Sequence, residues 1–423
     1  MRPTRRSASE STRHVTKEGP AMSDTRHSAD GSPRAALRGI RVLDLTQVMS
    51  GPFCTMVLAD LGADVIKIEN PEKGDQTRAS WGYSVIGDDS RAFLSLNRNK
   101  RSVGLDLKDA AGLDAFFALV RTADVVIENF RPGVAARLGI DYASVRAVNP
   151  RIIYASISGF GQTGPYSQFP GYDLIAQAMT GVMSVMGEEG GAPMKSAIPI
   201  ADLGAGMFCT IGILGAVIAR GDEGEGQYLE TSLFESALAM SVWESTEYWS
   251  TGEPPKPLGS ANRMSAPYQA LRTSDGYLTI GANNEKLWRL LCGALAADDL
   301  VADPRFEDNN RRLDNREELA VELERRLAGR TTDDWVDMLL AAGVPAGPIR
   351  DYRQVLAEDP HVSAREMVTS FDHPIEGLTK VLASPLKLSG TPVQVRTPPP
   401  LLGQHTDEVL DEVRALMHGP GVA

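Results

Sequence analysis

Histidine is missing from the whole central body of this chain. All six lie near the ends, at His14 and His27 or at His361, His373, His405 and His418. Chemistry carried by the residues between must do largely without an imidazole base, ligand or switch. Cysteine is nearly as scarce. Cys54, Cys209 and Cys292 are odd in number, widely spaced and without metal-ligand spacing. They exclude a disulfide framework, give no reason to expect a metal, and fit buried structural roles in a reducing, cytoplasmic setting. No apolar run reads as approaching the ~20 residues that span a bilayer, so no membrane partner is expected. Basic charge is also short: the net charge of −12 argues against a nucleic-acid partner.

What is present is a long, ordinary globular composition. At 423 residues, a usual domain size of about 100–200 residues predicts two or three domains. Residues 1–33 stand apart: rich in Ser, Thr and Arg, poor in large apolar side chains, with a second methionine at Met22. They read as a disordered extension or an upstream start rather than a transit peptide, because no amphipathic stripe is visible.

From Gly39 a regular alternation begins. Gly39-Ile-Arg-Val-Leu-Asp-Leu-Thr46 reads as a strand, Pro52 to Leu61 as a helix and Ala63 to Glu69 as the next strand. Ala110 to Val120 reads as a helix, and Ala123 to Glu128 and Arg151 to Ile157 as strands. This βαβ pattern predicts an α/β fold with a mainly parallel, doubly wound sheet. A buried helix is expected from Asp202 to Ala219, and one helix from about Ser232 to Tyr248. The proline-rich Glu253-Pro-Pro-Lys-Pro257 then leads into a smaller unit with a turn at Asp275-Gly276, a strand at 277–280, helices at 315–328 and 332–342, and a strand at 343–349.

Two segments set a lone carboxylate among glycines: Phe169-Pro-Gly-Tyr-Asp173 and Ile198-Pro-Ile-Ala-Asp202-Leu-Gly-Ala-Gly206. Glycine there lets backbone approach a ligand closely. On residue type alone, Asp202 reads as the cap of its apolar helix and Asp173 as the cap of the helix through Ala178. Gly159-Phe-Gly161-Gln-Thr-Gly164 has dinucleotide-fingerprint spacing after a strand, but Pro165 and Pro170 deny the helix that fingerprint needs, which favours a structural turn. The cluster Asn97-Arg-Asn-Lys100-Arg101, together with Glu128-Asn-Phe-Arg-Pro-Gly133 and Arg137, reads as a pocket for a polyanion at strand ends.

These blocks together resemble the class III coenzyme A transferases, the family of formyl-CoA transferase and carnitine CoA-transferase, with the α-methylacyl-CoA racemases as relatives. The resemblance covers about residues 37–412. It rests on Gly39-Ile-Arg-Val-Leu-Asp-Leu, Gly51-Pro52, Leu61-Gly-Ala-Asp-Val-Ile-Lys-Ile-Glu69, Asn99-Lys-Arg-Ser102, Glu128-Asn-Phe-Arg-Pro-Gly133, the Asp202 segment and Leu402-Gly-Gln-His-Thr406. It implies that Asp202 is the nucleophile, which displaces the capping reading, and that Tyr172 belongs to the same catalytic centre. Implied CoA contacts fall on Met49, Ser50, Asn70, Leu105, Asp106, Leu107, Lys108, Asn129, Phe130, Arg131, Arg137, Pro170, Gly171 and Asp173. Backbone N–H groups near Gly204 and Gly206 are the expected oxyanion donors. No cofactor beyond CoA as co-substrate is implied.

The resemblance also implies an architecture: a Rossmann-like large domain built from both chain ends, an inserted small α+β domain, and an interlocked homodimer. The boundaries expected are 34–228 for the first part of the large domain, 229–250 for a linker helix, 251–349 for the small domain and 350–423 for the return. Departures from formyl-CoA transferase bear on specificity. Its active-site glutamine corresponds to Met49, an arginine near the adenine to Asn70, and its glycine-rich loop has no counterpart near Pro257 to Ala266. The expected reaction moves CoA from an acyl-CoA donor, with succinyl-CoA the candidate, to a carboxylic acid. A racemase is the alternative within the fold, but its histidine before the second aspartate is Tyr172 here, a poor base at neutral pH. A dinucleotide-dependent oxidoreductase and a non-catalytic CoA-binding protein are the alternatives from other classes.

Overall fold

Alternating apolar residues along the first half of the chain resolve into six parallel strands in a computed structural model that describes residues 34–79, 85–86, 89–222 and 224–418. The extension expected at 1–33 lies outside the described residues. In chain order the sheet and its helices are β1 (Arg41–Asp44), α1 (Ser50–Asp60), β2 (Asp64–Glu69), β3 (Lys100–Gly104), α2 (Ala110–Val120), β4 (Val125–Glu128), β5 (Ile153–Ser158), α3 (Asp173–Met179), α4 (Ile200–Arg220) and β6 (Tyr228–Ser232). Helices α5 (Leu233–Met240) and α6 (Val242–Thr251) follow. A single helix was expected over them. The chain breaks at Ser241, whose ψ of 47° is not helical and whose hydroxyl donates back to the Ala237 carbonyl.

The strand order is β3-β2-β1-β4-β5-β6, with every neighbouring pair parallel. The direction of winding reverses between β1 and β4. Loops leaving the carboxyl ends of those two strands diverge there and open a crevice. Strand pleating sends successive side chains to opposite faces. Val42, Val65 and Val125 pack against α1 and α4 on one face. Leu43, Ile66 and Val126 pack against Phe116 and Leu119 of α2 on the other.

A separate apolar cluster lies within residues 266–346. It covers the antiparallel strands β7 (Tyr268–Arg272), β8 (Tyr277–Gly281) and β9 (Ala346–Pro348) with α7 (Glu285–Ala294), α8 (Arg316–Leu327) and α9 (Thr332–Ala341). The chain then makes the hairpin β10 (Val368–His373) and β11 (Gly377–Leu382) and ends in α10 (Thr406–His418). Helix α10 returns to the main sheet: Val409 and Val413 join the α2 face, and the Gly104 N–H donates to the Thr406 hydroxyl at 3.0 Å.

Helix α4 corrects one expectation. Its 21 residues are long and apolar enough to cross a membrane by length and composition. Its inward face is instead the core of the fold. A Cβ at Gly206 would stand 2.6 Å from the Ser50 carbonyl oxygen, so the glycine permits close packing on α1.

Candidate active site

The loop leaving β1 is held in a strained form at the crevice. Val48 has φ of 70°, a left-handed conformation that a β-branched residue rarely adopts. Three bonds to two other segments hold it there. The Val48 N–H donates to Asp75 Oδ1 (3.2 Å), the Gln47 N–H to Asn129 Oδ1 (2.9 Å), and Asn129 Nδ2 to the Gln47 carbonyl (2.8 Å). The last two tie the ends of β1 and β4 together across the crevice.

A second close approach brings in the segment before α3. Gly159 follows β5 and Gly171 precedes Tyr172; a Cβ on either would lie under 3 Å from the other's Cα. Only glycine at both positions lets these backbones cross. The intervening loop, with Gly161 and Gly164 at φ of 92° and 89°, opens no helix on its glycines. It is packed by Phe160, Tyr166 and Phe169. The structural turn is what the chain forms here, and the dinucleotide reading loses its phosphate cradle.

Between these loops lies a cavity of about 280 Å³. Of the residues expected in the site, it gathers Met49, Ser50, Asn129, Phe130, Arg131, Gly171, Tyr172 and Asp202. It also gathers Gln47, Val48, Gln76, Ser158, Gly159 and Phe169, which the sequence reading did not name as site residues. Ser158 ends β5 and Gln47 lies in the loop just past β1, so the strand-end rule would have found them.

Asp202 is the third residue of α4, with Pro199 in the capping position and no side-chain cap there. It does not cap its own helix. Asp173, expected to cap α3, reaches across instead: its Oδ1 accepts the Ala201 N–H (2.9 Å) and the Asp202 N–H (3.3 Å), and its Oδ2 accepts Gln177 Nε2 (2.6 Å). Asp173 is thus the cap of α4, supplied from a neighbouring helix. Burial, and then the charge of Asp173, push the Asp202 carboxyl up to about 7. A carboxylate so poorly solvated is a better nucleophile than one in water. The expected oxyanion donors need correction. Gly204 and Gly206 lie past the first turn of α4, where helical N–H groups are spent on carbonyls four residues back.

The remaining expected contacts do not line the cavity and fall in the segments that follow β2, β3, β4 and β5. Asn70 follows β2, where its Oδ1 accepts the Glu72 and Lys73 N–H groups. Leu105, Asp106, Leu107 and Lys108 follow β3, with Lys108 exposed and Asp106 accepting the Lys108 N–H. Arg137 is exposed on a short helix after β4, and Pro170 is exposed beside Gly171.

The basic cluster at 97–101 is placed differently from its reading as a polyanion pocket. Arg98 pairs with Asp60 (2.6 Å), Lys100 with Asp44 (3.0 Å), and Arg101 with Asp64 (2.8 Å) and Glu412 (2.7 Å). Its charge is neutralised within the fold. Among the described residues, no group of three His, Cys, Asp or Glu side chains is placed to hold a metal ion.

Comparison with known proteins agrees with this arrangement. The model of CoA-transferase family III matches residues 37–406. A Mus musculus protein named succinyl-CoA:glutarate CoA-transferase is 38% identical over 388 residues, covering 92% of this chain and 88% of the relative. An Acetobacter aceti protein named acetyl-CoA:oxalate CoA-transferase is 40% identical over 360 residues, covering 85% and 90%. Among solved structures, a CAIB/BAIF family protein from Brucella suis superposes with a TM-score of 0.79 at 37% identity, covering 90% of this chain and 99% of that one.

Proposed function

The chain belongs to CoA-transferase family III, and on that premise we propose that it moves CoA from succinyl-CoA to a second carboxylic acid through an aspartyl-CoA thioester on Asp202. The observation that carries this reading is the position of Asp202: half-buried, lining the crevice at the sheet's carboxyl edge, its carboxyl raised to about 7.

In this mechanism an Asp202 oxygen attacks the thioester carbonyl and the CoA thiolate leaves, giving a mixed anhydride. The thiolate attacks the aspartyl carbonyl of that anhydride, the donor's acid departs as a carboxylate, and CoA remains on Asp202 as a thioester. The acceptor carboxylate then attacks this thioester and releases the thiolate, which attacks the acceptor's acyl carbonyl and frees Asp202. Charge balances throughout and no outside proton is needed. Asp202 stands in the first turn of α4, whose positive end would favour oxygens that become negative near it. Both intermediates hydrolyse easily, so water must be kept out of the cavity.

Arg131 lines the cavity, and Arg137 and Lys108 are exposed in the segments after β4 and β3; their positive charge suits the phosphates of CoA. The donor is supported by the succinyl-CoA-dependent relative and by the missing counterpart of the glycine-rich loop near Pro257 to Ala266. Further parts of the reading are a Rossmann-like large domain closed by α10, an inserted small domain over 251–349, and a cytoplasmic, interlocked homodimer. Exposed Ile211 and Ile218 on α4 and Trp243 and Trp249 on α6 support a covering second copy.

The test is incubation with succinyl-CoA or acetyl-CoA and a panel of mono- and dicarboxylic acids, followed by mass spectrometry of new acyl-CoA. Succinyl-CoA with a dicarboxylic acceptor is expected to give product; acetyl-CoA with oxalate as the only active pair would reject the donor assignment. A 2-methylacyl-CoA in deuterated water should gain no α-deuterium, and rapid exchange without transfer would favour a racemase.

A further inference from the structure

We propose that Gln177 is a positioning residue for CoA transfer, one amide that pins both ends of the segment leading into Asp202. The inference rests on Asp202 being the reacting carboxylate. Gln177 is fully buried and stands four residues after Asp173, on the same face of α3. Its Nε2 donates to Asp173 Oδ2 at 2.6 Å, and its Oε1 accepts the Ser196 N–H at 2.8 Å. Asp173 in turn receives the Ala201 and Asp202 N–H groups. Ser196 is thus tied to Gln177 directly, and Ala201 and Asp202 are tied to it through Asp173.

The segment between these anchors needs such support. It contains Pro199, which has no N–H to give, and the first turn of α4 has no side-chain cap of its own. Without Gln177, the Asp173 side chain keeps its two backbone donors but loses the bond that fixes its rotation. The cap then moves, and the Asp202 backbone with it. Misplacement of a reacting group by about 1 Å costs on the order of 100-fold in rate, with no need for weaker acyl-CoA binding.

Gln177→Glu separates this role from mere packing. A protonated glutamic acid repeats the amide's pattern, its O–H donating to Asp173 and its C=O accepting from Ser196. Once ionised it offers Asp173 no donor and adds a like charge. Burial and that like charge raise the new carboxyl toward neutrality. Turnover of the full chain with succinyl-CoA and an acceptor is measured from pH 6 to 8.5, alongside wild type. The variant-to-wild-type ratio of kcat should be near one at pH 6 and fall at least tenfold by pH 8.5, with the KM for acyl-CoA within threefold and activity restored on return to pH 6. Gln177→Leu, where it folds, should lose at least tenfold in kcat at every pH with the same KM. A Gln177→Glu ratio that does not change with pH, or Gln177→Leu turnover within twofold of wild type, overturns the proposal. A pH-dependent ratio from an enzyme that never carries covalent CoA would instead overturn the thioester reading and leave the positioning role standing.

Discussion

Two aspartates on the same body of structure, one buried and one half-buried, are treated in opposite ways. Asp44, at the end of β1, is fully enclosed and satisfied on all sides: it pairs with Lys100 and accepts the Thr46 N–H (2.9 Å) and the Thr55 hydroxyl (2.7 Å). Burial alone would raise its carboxyl, but Lys100 and Lys67 outweigh it and hold the group well below the usual range. Asp202, across the β1 loop, has burial and a like charge but, among the described residues, no cation to offset them, and rises to about 7. The first arrangement makes a charge inert. The second leaves one poorly solvated. They also connect, because Lys67 pairs with Asp75 (2.9 Å) and donates to the Thr46 carbonyl, while Asp75 holds the strained Val48. The inert network holds the β1 loop that lines the cavity.

Exchanging the two carboxylates for amides should give opposite failures. The largest effect expected is on turnover: Asp202→Asn should lose at least ~10⁴-fold in kcat, about 5.5 kcal/mol of barrier, while its melting temperature stays at or above wild type. A residual rate of a tenth would sink the covalent mechanism. Asp44→Asn should instead unfold more easily by ~3–5 kcal/mol, since it strands a buried ammonium. Urea denaturation checks this, and an unchanged midpoint would show that the network is not structural. Lys100, already brought down to about 8 by its burial against the opposing pull of Asp44, would be pushed lower still in that variant.

The pH dependences should diverge in the same way. In the proposed mechanism Asp202 acts as a carboxylate, and its folded value is raised. Its ionised fraction therefore falls about tenfold per unit well below pH 7, and kcat/KM measured at pH 5.5 and 8 should differ by at least ~10-fold with the fold intact. For a raised carboxyl, the stabilising contribution is full below the ordinary unfolded value and is lost as pH rises through about 7, so acidic loss of rate is not loss of fold. Asp44 is depressed: its contribution is present above the unfolded value and is lost only as pH falls through its low folded value. A parallel fall of activity and near-ultraviolet circular dichroism at pH 5.5 would break this distinction.

The smallest effects concern the two sets of basic residues. Lys108→Ala and Arg137→Ala should each raise the KM for acyl-CoA about 3–10-fold with kcat within twofold, as lost uniform binding does. Arg101→Ala should leave that KM alone and lower the melting temperature, because its partners are Asp64, Glu408 and Glu412. A rise confined to the acceptor's KM would place Lys108 and Arg137 at the other end of the site.

This last contrast shows where sequence reading stops. The sheet alternation was legible, since period-two apolar runs and the proline just inside α1 are local signals. Helix α2 falls at the residues expected, and the expected Ala63–Glu69 strand begins one residue later. Strand β3 was hidden because Lys100-Arg-Ser looks solvated until Asp44, 56 residues away, and Glu412, 311 residues away, come beside it. Asp202 and the loops around it were legible through family resemblance, not through residue type, which favoured a cap. The cross-helix cap by Asp173 and the amide of Gln177 were not legible. Both depend on α3 packing beside the start of α4, and no local pattern encodes that.

The central claim, that Asp202 carries CoA covalently, is tested most directly by the intact mass of the protein after brief exposure to succinyl-CoA without acceptor. Wild type should gain the mass of CoA on a peptide containing Asp202 and lose it to hydroxylamine, and Asp202→Asn should gain nothing while still binding CoA. A wild-type enzyme that transfers CoA but carries no such adduct, or an adduct of equal yield on Asp202→Asn, would contradict the account.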